Sequence, residues 1–538
     1  MPIPLLALLL AFSPAERAAM NRITASEISG HIRFLSDDQL EGRKPGSAGD
    51  ELAIKYLASQ LEAMGYKPAG DNGTFLQSVP LIEQQADIPH DVTFQAGDKA
   101  LTLHAAVGIE SDLVLDPSAQ KDLEQVTNAP VVFVGYGITA PEYGWDDYKD
   151  ADVKGKVVLL MNMNPPFKGE GVRLWYGRWD YKYMNAAKHG AVGALVIHTT
   201  ESAGYPWQVP VTSSSTPRQR LPPEPGEPSM EFQGWISEPG TKKLVELGGQ
   251  DLDALRKAAQ GKDWRPVPLN STVSLSMPVH LRKFESANVI GILPGTDPKL
   301  RDEAVLYTAH HDHLGKVTPI PPATDGIYNG ALDNASGCAT VLAIARAMTF
   351  DPPKRSVIIA FVTAEEQGLL GSDYMSKHPP IPASKIAADI NLDSVNNLGK
   401  TTDLGVIGLG KSSADNVVRK VAAEQGRKVH GDPHPDRGAF YRSDQFSMAH
   451  VGVPPVSVKG GPDFVGRPHG WGDEQLLDYE RHHYHQPSDE YHGNWDLSGD
   501  VQDAQLQLVV GLRIADAPSL PTWTPGDEFE KARKTAAK

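Results

Sequence analysis

A single cysteine, Cys338, stands in 538 residues, so no intramolecular disulfide can form and a packed core must hold the chain together. Its setting, Ser-Gly-Cys-Ala-Thr-Val-Leu-Ala-Ile, is apolar and helical in pattern, which suits a buried structural thiol better than a nucleophile. A basic excess is also missing. Lys and Arg number 51 against 67 Asp and Glu, and the net charge of −16 argues against a nucleic-acid partner while favouring capture of cations. No stretch beyond the N-terminus has the length and apolarity to cross a bilayer, so no membrane contact is expected after processing. There is no His-Glu-x-x-His helix, no Gly-x-Ser-x-Gly elbow and no phosphate-binding P-loop. Val134-Gly-Tyr-Gly137-Ile-Thr-Ala140 imitates a dinucleotide fingerprint, but Pro141 follows and no helical pattern does.

The length allows two or more domains, each with a full core. Pro2 to Phe12 has the length and apolarity of a signal-peptide core, with small residues at Ser13 and Ala15 where cleavage could occur, although no Lys or Arg precedes it. Residues 1–18 therefore read as a leader and the chain as exported, periplasmic or secreted. Asp50 to Met64 is an amphipathic helix with Leu57 and Leu61 on its apolar face, closed by Gly65. From about Asp87 the texture turns to short β-like runs separated by turn signals, among them Val131-Val-Phe-Val and Val157-Val-Leu-Leu. That block, residues 86–279, reads as a mostly-β domain inserted into another, which comprises 22–85 and 280–516. Residues 517–538 begin at a proline-containing stretch and end in a Lys/Glu run, so an exposed, partly disordered tail is expected.

The stretch from Ala304 to Asp393 carries the chemistry. Ala304-Val-Leu-Tyr-Thr-Ala309 leads into His310-His311-Asp312-His313, Val357 to Val362 into Glu365-Glu366, and Ile386 to Leu392 into Asp393. Apolar runs alternating with helices predict a parallel α/β sheet, and ligands of such sheets gather beyond the carboxyl ends of the strands. Between the first two runs lies Gly330-Ala-Leu-Asp333-Asn334-Ala-Ser-Gly337. These residue types suit zinc. His310, Glu366, Asp393 and a late histidine, sought in His482-His-Tyr-His485, would be terminal ligands, and Asp333 would bridge two metals. In the pair Glu365-Glu366 one side chain can ligate while its neighbour acts as base.

Taken together these motifs resemble the zinc aminopeptidases of the M28 family with an inserted protease-associated (PA) domain. Ala309-His310-x-Asp312-His313-Leu-Gly315 is similar to the family's first ligand motif, and Thr363-Ala-Glu365-Glu366-x-Gly-Leu-x-Gly371 to its base-plus-ligand motif. Asn391-x-Asp393 and Tyr484-His485-x-Pro-Ser-Asp489 complete the set, while Asp152 to Leu160 and Ala186 to Ala194 resemble the PA module. The resemblance implies a zinc-exopeptidase (phosphorylase/hydrolase-like) three-layer α/β/α sandwich. It implies two zinc ions per chain, one on His310 and Asp393, one on Glu366 and His485, bridged by Asp333. Asp312 would orient His310, Glu365 would be the general base, and Tyr484 would donate to the oxyanion. The Asp333–Asn334 peptide bond would be cis. Arg442, in Arg442-Ser443-Asp444, resembles part of a substrate pocket, although a capped helix start explains the same residues.

His311 stands where relatives often carry Tyr and is expected to face away from the metals. His313, His482 and His483 are expected at the surface or behind the ligands. The expected activity is removal of N-terminal residues from peptides with a free N-terminus, with the oligomeric state left open. The alternatives are a glutamate-releasing carboxypeptidase, which needs an arginine cluster that the sequence does not place, a one-zinc glutaminyl cyclase, and a receptor-like binding protein that has lost ligands.

Overall fold

The computed structural model describes residues 12–105, 110–213, 217–319 and 324–536. The chain divides into two units. One runs to Pro80 and continues through Glu285–Pro433 and from Ala439; the other comprises Leu81–Phe284 and His434–Gly438. Two of the changes of unit fall inside long strands, Leu76–Ala86 and Val267–Leu293, and those around His434–Gly438 fall outside strands. A boundary drawn from composition at residues 86 and 279 therefore lies a few residues inside the second unit.

In chain order the principal elements of the first unit are α1 (Pro14–Met20), α2 (Ala25–Leu35), α3 (Ala48–Ala63), β1 (Val267–Leu293, through its last residues), β2 (Ala304–His310), α4 (Ser336–Met348), β3 (Ser356–Val362), α5 (Leu370–Lys377), β4 (Ile386–Asn391), β5 (Asp403–Ile407), α6 (Ala414–Glu424), β6 (Lys428–Gly431), α7 (Gln445–His450), β7 (Pro455–Gly460), α8 (Trp471–His482), α9 (Ser498–Asp516) and α10 (Glu530–Ala536). The sheet order is β6–β5–β7–β4–β2–β3–β1. The central strands β7, β4, β2 and β3 are mutually parallel; β5 runs antiparallel to β7 and parallel to β6, and β1 runs antiparallel to β3.

Alternation along each central strand builds the layers, because successive side chains leave a strand on opposite faces. Val305, Tyr307 and Ala309 of β2 and Val357, Ile359 and Phe361 of β3 join one core with Ile32 of α2, Leu57 of α3, Val341 of α4, Val418 of α6 and Val509 of α9. Ala304, Leu306, Ile358, Ala360 and Val362 face the other way and pack with Met375 of α5 and Met448 of α7. Apolar residues on both faces read as continuous runs, as a sheet covered on both sides requires. The first unit is thus a three-layer α/β/α sandwich. All residues of α4 except Arg346 are buried, Cys338 among them.

The second unit holds the β-rich block. Strands Val157–Met161, Gly193–His198 and Phe232–Ser237 are parallel, with Leu113–Pro117 antiparallel to the last and Leu123–Phe133 parallel to the first. Helices Trp179–Lys188 and Glu238–Leu247 lie in the same unit, and Lys182, fully buried, donates to the carbonyls of Tyr136 and Met163. Within 212–229, which composition marks as irregular, Arg218–Arg220 forms a short strand; residues 214–216 lie outside the described residues.

Most of the apolar run Pro2–Phe12 also lies outside the described residues. From Pro14 the chain is helical, with Ser13 and Glu16 forming a capping box, and Glu16 accepts from Arg513 on α9. Among the described residues no helix is long and apolar enough to cross a membrane.

The expectation of a loose C-terminal tail is corrected. Trp523 and Phe529 are buried, and Trp523 donates its indole N–H to the Gly452 carbonyl. Lys411 pairs with Asp527 and Glu528, and Arg533 of α10 donates to the carbonyls of Ala383 and Ile386. The Lys/Glu run suggested solvent, but its anchors are two aromatic rings that find cover only in the folded unit. Trp523→Ala should therefore lower the stability of the unit by about 3–5 kcal/mol, the usual cost of emptying a buried aromatic site. Thermal or denaturant unfolding measures this, and an unchanged midpoint would show that the tail adds nothing.

Candidate metal centre

Because β2, β3 and β4 are parallel, their carboxyl ends lie at one edge of the sheet. His310 closes β2, Glu365 and Glu366 follow β3, and Asp393 follows β4. Asp333 arrives from the turn before α4, and the Asp333–Asn334 peptide bond is cis. His485 arrives from beyond α8. The backbone is left-handed at Ala364, Ser394 and His485, next to or at these side chains. Non-glycine residues adopt that conformation at a cost of about 1–3 kcal/mol and mostly where surrounding structure imposes it.

The six side chains converge. Asp333 lies between two histidines, its Oδ1 3.3 Å from His310 Nε2 and its Oδ2 3.3 Å from His485 Nε2. His310 Nε2 is also 3.5 Å from Asp393 Oδ1, and His485 Nε2 is 3.0 Å from Glu366 Oε2. Glu365 shares a neighbourhood with His310 and Asp393 in which each offers a ligand atom within 4.8 Å of the others. These approaches lack hydrogen-bond geometry: His310 Nε2, His485 Nε2 and Glu366 Oε1 are buried with no hydrogen-bond partner. Buried polar atoms are nearly always paired, so a cluster of unpaired lone-pair donors aimed at common points fits a cation.

The electrostatics agree. Burial alone would lower the His310 imidazole, yet the charges of Glu365, Asp333 and Asp393 hold it well above its ordinary range. His485 is likewise raised, to about 10, by Glu366 and Asp333 against its burial. Burial and Asp333 push the Glu366 carboxyl up, but His313 and His485 win and bring it down to about 2. Glu365 is pushed well above the carboxylate range by burial, with Asp393, Glu366 and Asp444 adding to it against the opposing pull of His310. A site that draws protons onto its histidines in this way is short of positive charge, which a divalent ion supplies. Imidazole with carboxylate is a normal zinc donor set.

The supporting contacts differ in part from those expected. Asp312 Oδ1 stands 3.8 Å from His310 Nδ1, beyond a hydrogen bond, and that nitrogen lies 3.3 Å from the Asp312 backbone carbonyl instead. The Asp312 carboxylate accepts the backbone N–H groups of Glu365 (3.0 Å) and Glu366 (3.4 Å). Asp312 thus positions the glutamate turn rather than the imidazole. His311 is buried, 3.1 Å from the Ala287 carbonyl and 3.5 Å from Asp50. His482 pairs with Asp478 and His483 with Ser488. His313 is the exception: it is fully buried, and its Nδ1 lies 2.6 Å from Glu366 Oε1. Tyr484, 40% exposed as a residue, stacks on His485 with ring centroids 3.9 Å apart, and its phenol is raised by desolvation of the hydroxyl and by the charges of Asp333, Glu366 and Glu365. Arg442 is exposed, and its charge acts on Tyr484 in the opposite sense.

Two positioning residues carried no assigned role in the sequence. Arg43, 1% exposed, donates to the carbonyls of His311, Leu35, Asn329 and Gly330, tying the N-terminal segment to two ligand loops. Its signal was the Glu41-Gly42-Arg43 run after α2. Asp489 accepts the backbone N–H groups of Leu332 (3.0 Å) and Asp333 (3.1 Å) and the Tyr479 hydroxyl. Its position four residues after His485 couples that histidine to the Asp333 turn. Gly337 is required in the same turn, because a Cβ there would lie 2.2 Å from Asn334 Oδ1. Asp489→Ala should weaken metal binding by roughly 10–100-fold, as removal of partners behind a ligand does. Chelator competition reads the change, and an unaltered affinity would remove Asp489 from the assembly.

A family model described as Peptidase family M28 matches residues 288–509, and a PA domain model matches 121–223. The chain is 25% identical over 437 residues to aminopeptidase NAALADL1 of Mus musculus, covering 70% of this chain and 54% of that protein. It is 26% identical over 231 residues to a probable zinc metalloprotease of Pyrenophora teres f. teres, covering 37% of this chain and 48% of that one. The chain thus spans about half the length of these curated relatives. A solved aminopeptidase from Aneurinibacillus sp. strain AM-1 is 18% identical, covers 94% of this chain and 97% of its own, and superposes with a TM-score of 0.49.

Proposed function

We propose, for a chain that belongs to peptidase family M28 and carries an inserted PA domain, that it is a two-zinc exopeptidase releasing N-terminal residues from peptides. The observation that carries this reading is Asp333, whose two oxygens face two different unpaired histidines at equal distances. His310 and Asp393 would hold one ion, Glu366 and His485 the other, and Asp333 both. Bound there, zinc supplies Lewis acidity to water and to the scissile carbonyl.

The chain's own groups do the rest. Glu365 takes a proton from the attacking water and passes it to the leaving amine. Tyr484 keeps its proton and donates its hydroxyl to the developing oxyanion. Asp312 fixes the turn that presents Glu365 and Glu366 on different errands. The run Pro2–Phe12 supports the further reading that the chain is exported.

One observation favours a second reading. Arg442 is exposed, and a guanidinium suits a substrate carboxylate better than a free amine, while a glutamate-releasing carboxypeptidase needs a cluster of them. Aminoacyl-nitroanilides, assayed beside N-acetylated and C-terminally amidated peptides, separate the two. Hydrolysis is expected to disappear on N-acetylation and to survive C-terminal amidation; the reverse pattern would establish the carboxypeptidase. Glu365→Gln should lower kcat by at least about 100-fold, the lower end of what a positioned base contributes, while metal content stays near that of the parent. Loss of a metal in that variant would mean that the roles of the two glutamates are exchanged.

A further inference from the structure

His313 has no place in the five-ligand set, yet it is fully buried among the ligands. It follows Asp312 in the turn after β2 and is fully buried. Its donor atom, one from Asp333 and one from Glu366 all lie within 4.8 Å of one another. Nδ1 stands 2.6 Å from Glu366 Oε1, and its ring lies edge-on to that of His485, centroids 5.7 Å apart. In spite of this crowding neither ring nitrogen of His313 has a hydrogen-bond partner, and neither has Glu366 Oε1. The nitrogen and the oxygen are at ion-pair distance but are not aligned as donor and acceptor.

The protein holds the ring in this position. Gly330, with φ +56°, lies against it so closely that a Cβ there would come within 2.5 Å of His313 Cγ. The His313 backbone N–H bonds the carbonyl of Arg43, the residue that ties the ligand loops together. Burying an imidazole with both nitrogens unpaired is unfavourable unless something else takes a lone pair. A surface or packing histidine meets no such arrangement of co-directed donors, as His482 and His483 show by pairing outward.

We propose that His313 is an additional ligand of the metal held by Glu366 and His485, giving that ion three terminal protein ligands beside Asp333. The inference rests on the two-metal reading above. It makes the centre asymmetric: the His310–Asp393 ion keeps two terminal ligands and more open positions, and the His313 side is the tighter and more closed. A closed, ligand-rich position is structural in character, whereas open positions serve water and substrate.

The test uses the full chain with zinc and with cobalt. The wild type should hold two ions. His313→Asn and His313→Ala should each weaken one of them by more than about 100-fold in chelator competition, beyond the roughly 10–100-fold expected when a partner behind a ligand is lost. The other ion should be retained at parental affinity, and the visible spectrum of the cobalt form should change with the loss of an imidazole donor. Asp393→Ala should show the complementary pattern, weakening the other ion. Thermal unfolding of the metal-free proteins checks that the variants fold. Two tight ions with an unchanged cobalt spectrum in both His313 variants would overturn the proposal. So would a loss below 100-fold with the spectrum unchanged, which would make His313 a positioning residue acting through Glu366. Fewer than two ions in the wild type would instead remove the two-metal reading, and this inference with it.

Discussion

Like charges repel, and at the edge of this sheet Asp333, Glu365, Glu366 and Asp393 are gathered into a largely buried space. Low dielectric magnifies that repulsion, and only opposite charge relieves it. Three imidazoles stand among the carboxylates, and their unpaired nitrogens face the oxygens without hydrogen bonding to them. A few buried contacts of the first unit hold this arrangement together.

The restraint comes from one guanidinium and two carboxylates placed behind the site. Arg43 spends its donors on four carbonyls rather than on a carboxylate, so it stiffens two ligand loops without taking up the charge that a metal needs. Asp312 and Asp489 do the same in the opposite sense. Each accepts two backbone N–H groups, Asp312 from the glutamate turn and Asp489 from the Asp333 turn. Left-handed residues at Ala364, Ser394 and His485 let the chain turn sharply where strand or helix ends and ligand begins. Such strain persists only on a rigid support, here the four parallel strands packed on both faces.

The histidines show how tertiary structure divides residues that look alike in a list. His310, His311 and His313 lie within one turn, but strand alternation sends His310 to the acids and His311 to Asp50 and the Ala287 carbonyl. Beyond the strand end alternation no longer applies, and His313 returns to the site. In the second cluster His482 and His483 are held by Asp478 and Ser488, leaving His485 to reach Asp333 and Glu366.

The sequence by itself determined the sheet, the edge and the charge. Apolar runs that end in acids and histidines fix strand, direction and side-chain face through local periodicity, and parallel pairing then carries the strand ends to one edge. That is why the meeting of His310, Glu366, Asp393 and the Asp333 turn at one edge was legible from local pattern. What only the tertiary structure decided depends on partners far away in the chain. Gly330 and Arg43 turn His313 inward, and two backbone amides claim Asp312 in place of an imidazole. The C-terminal residues, polar enough to read as a tail, dock because Trp523 finds the Gly452 carbonyl and Phe529 finds a buried place. Local pattern sets where a side chain starts, but its end point is set by whatever the fold brings opposite it.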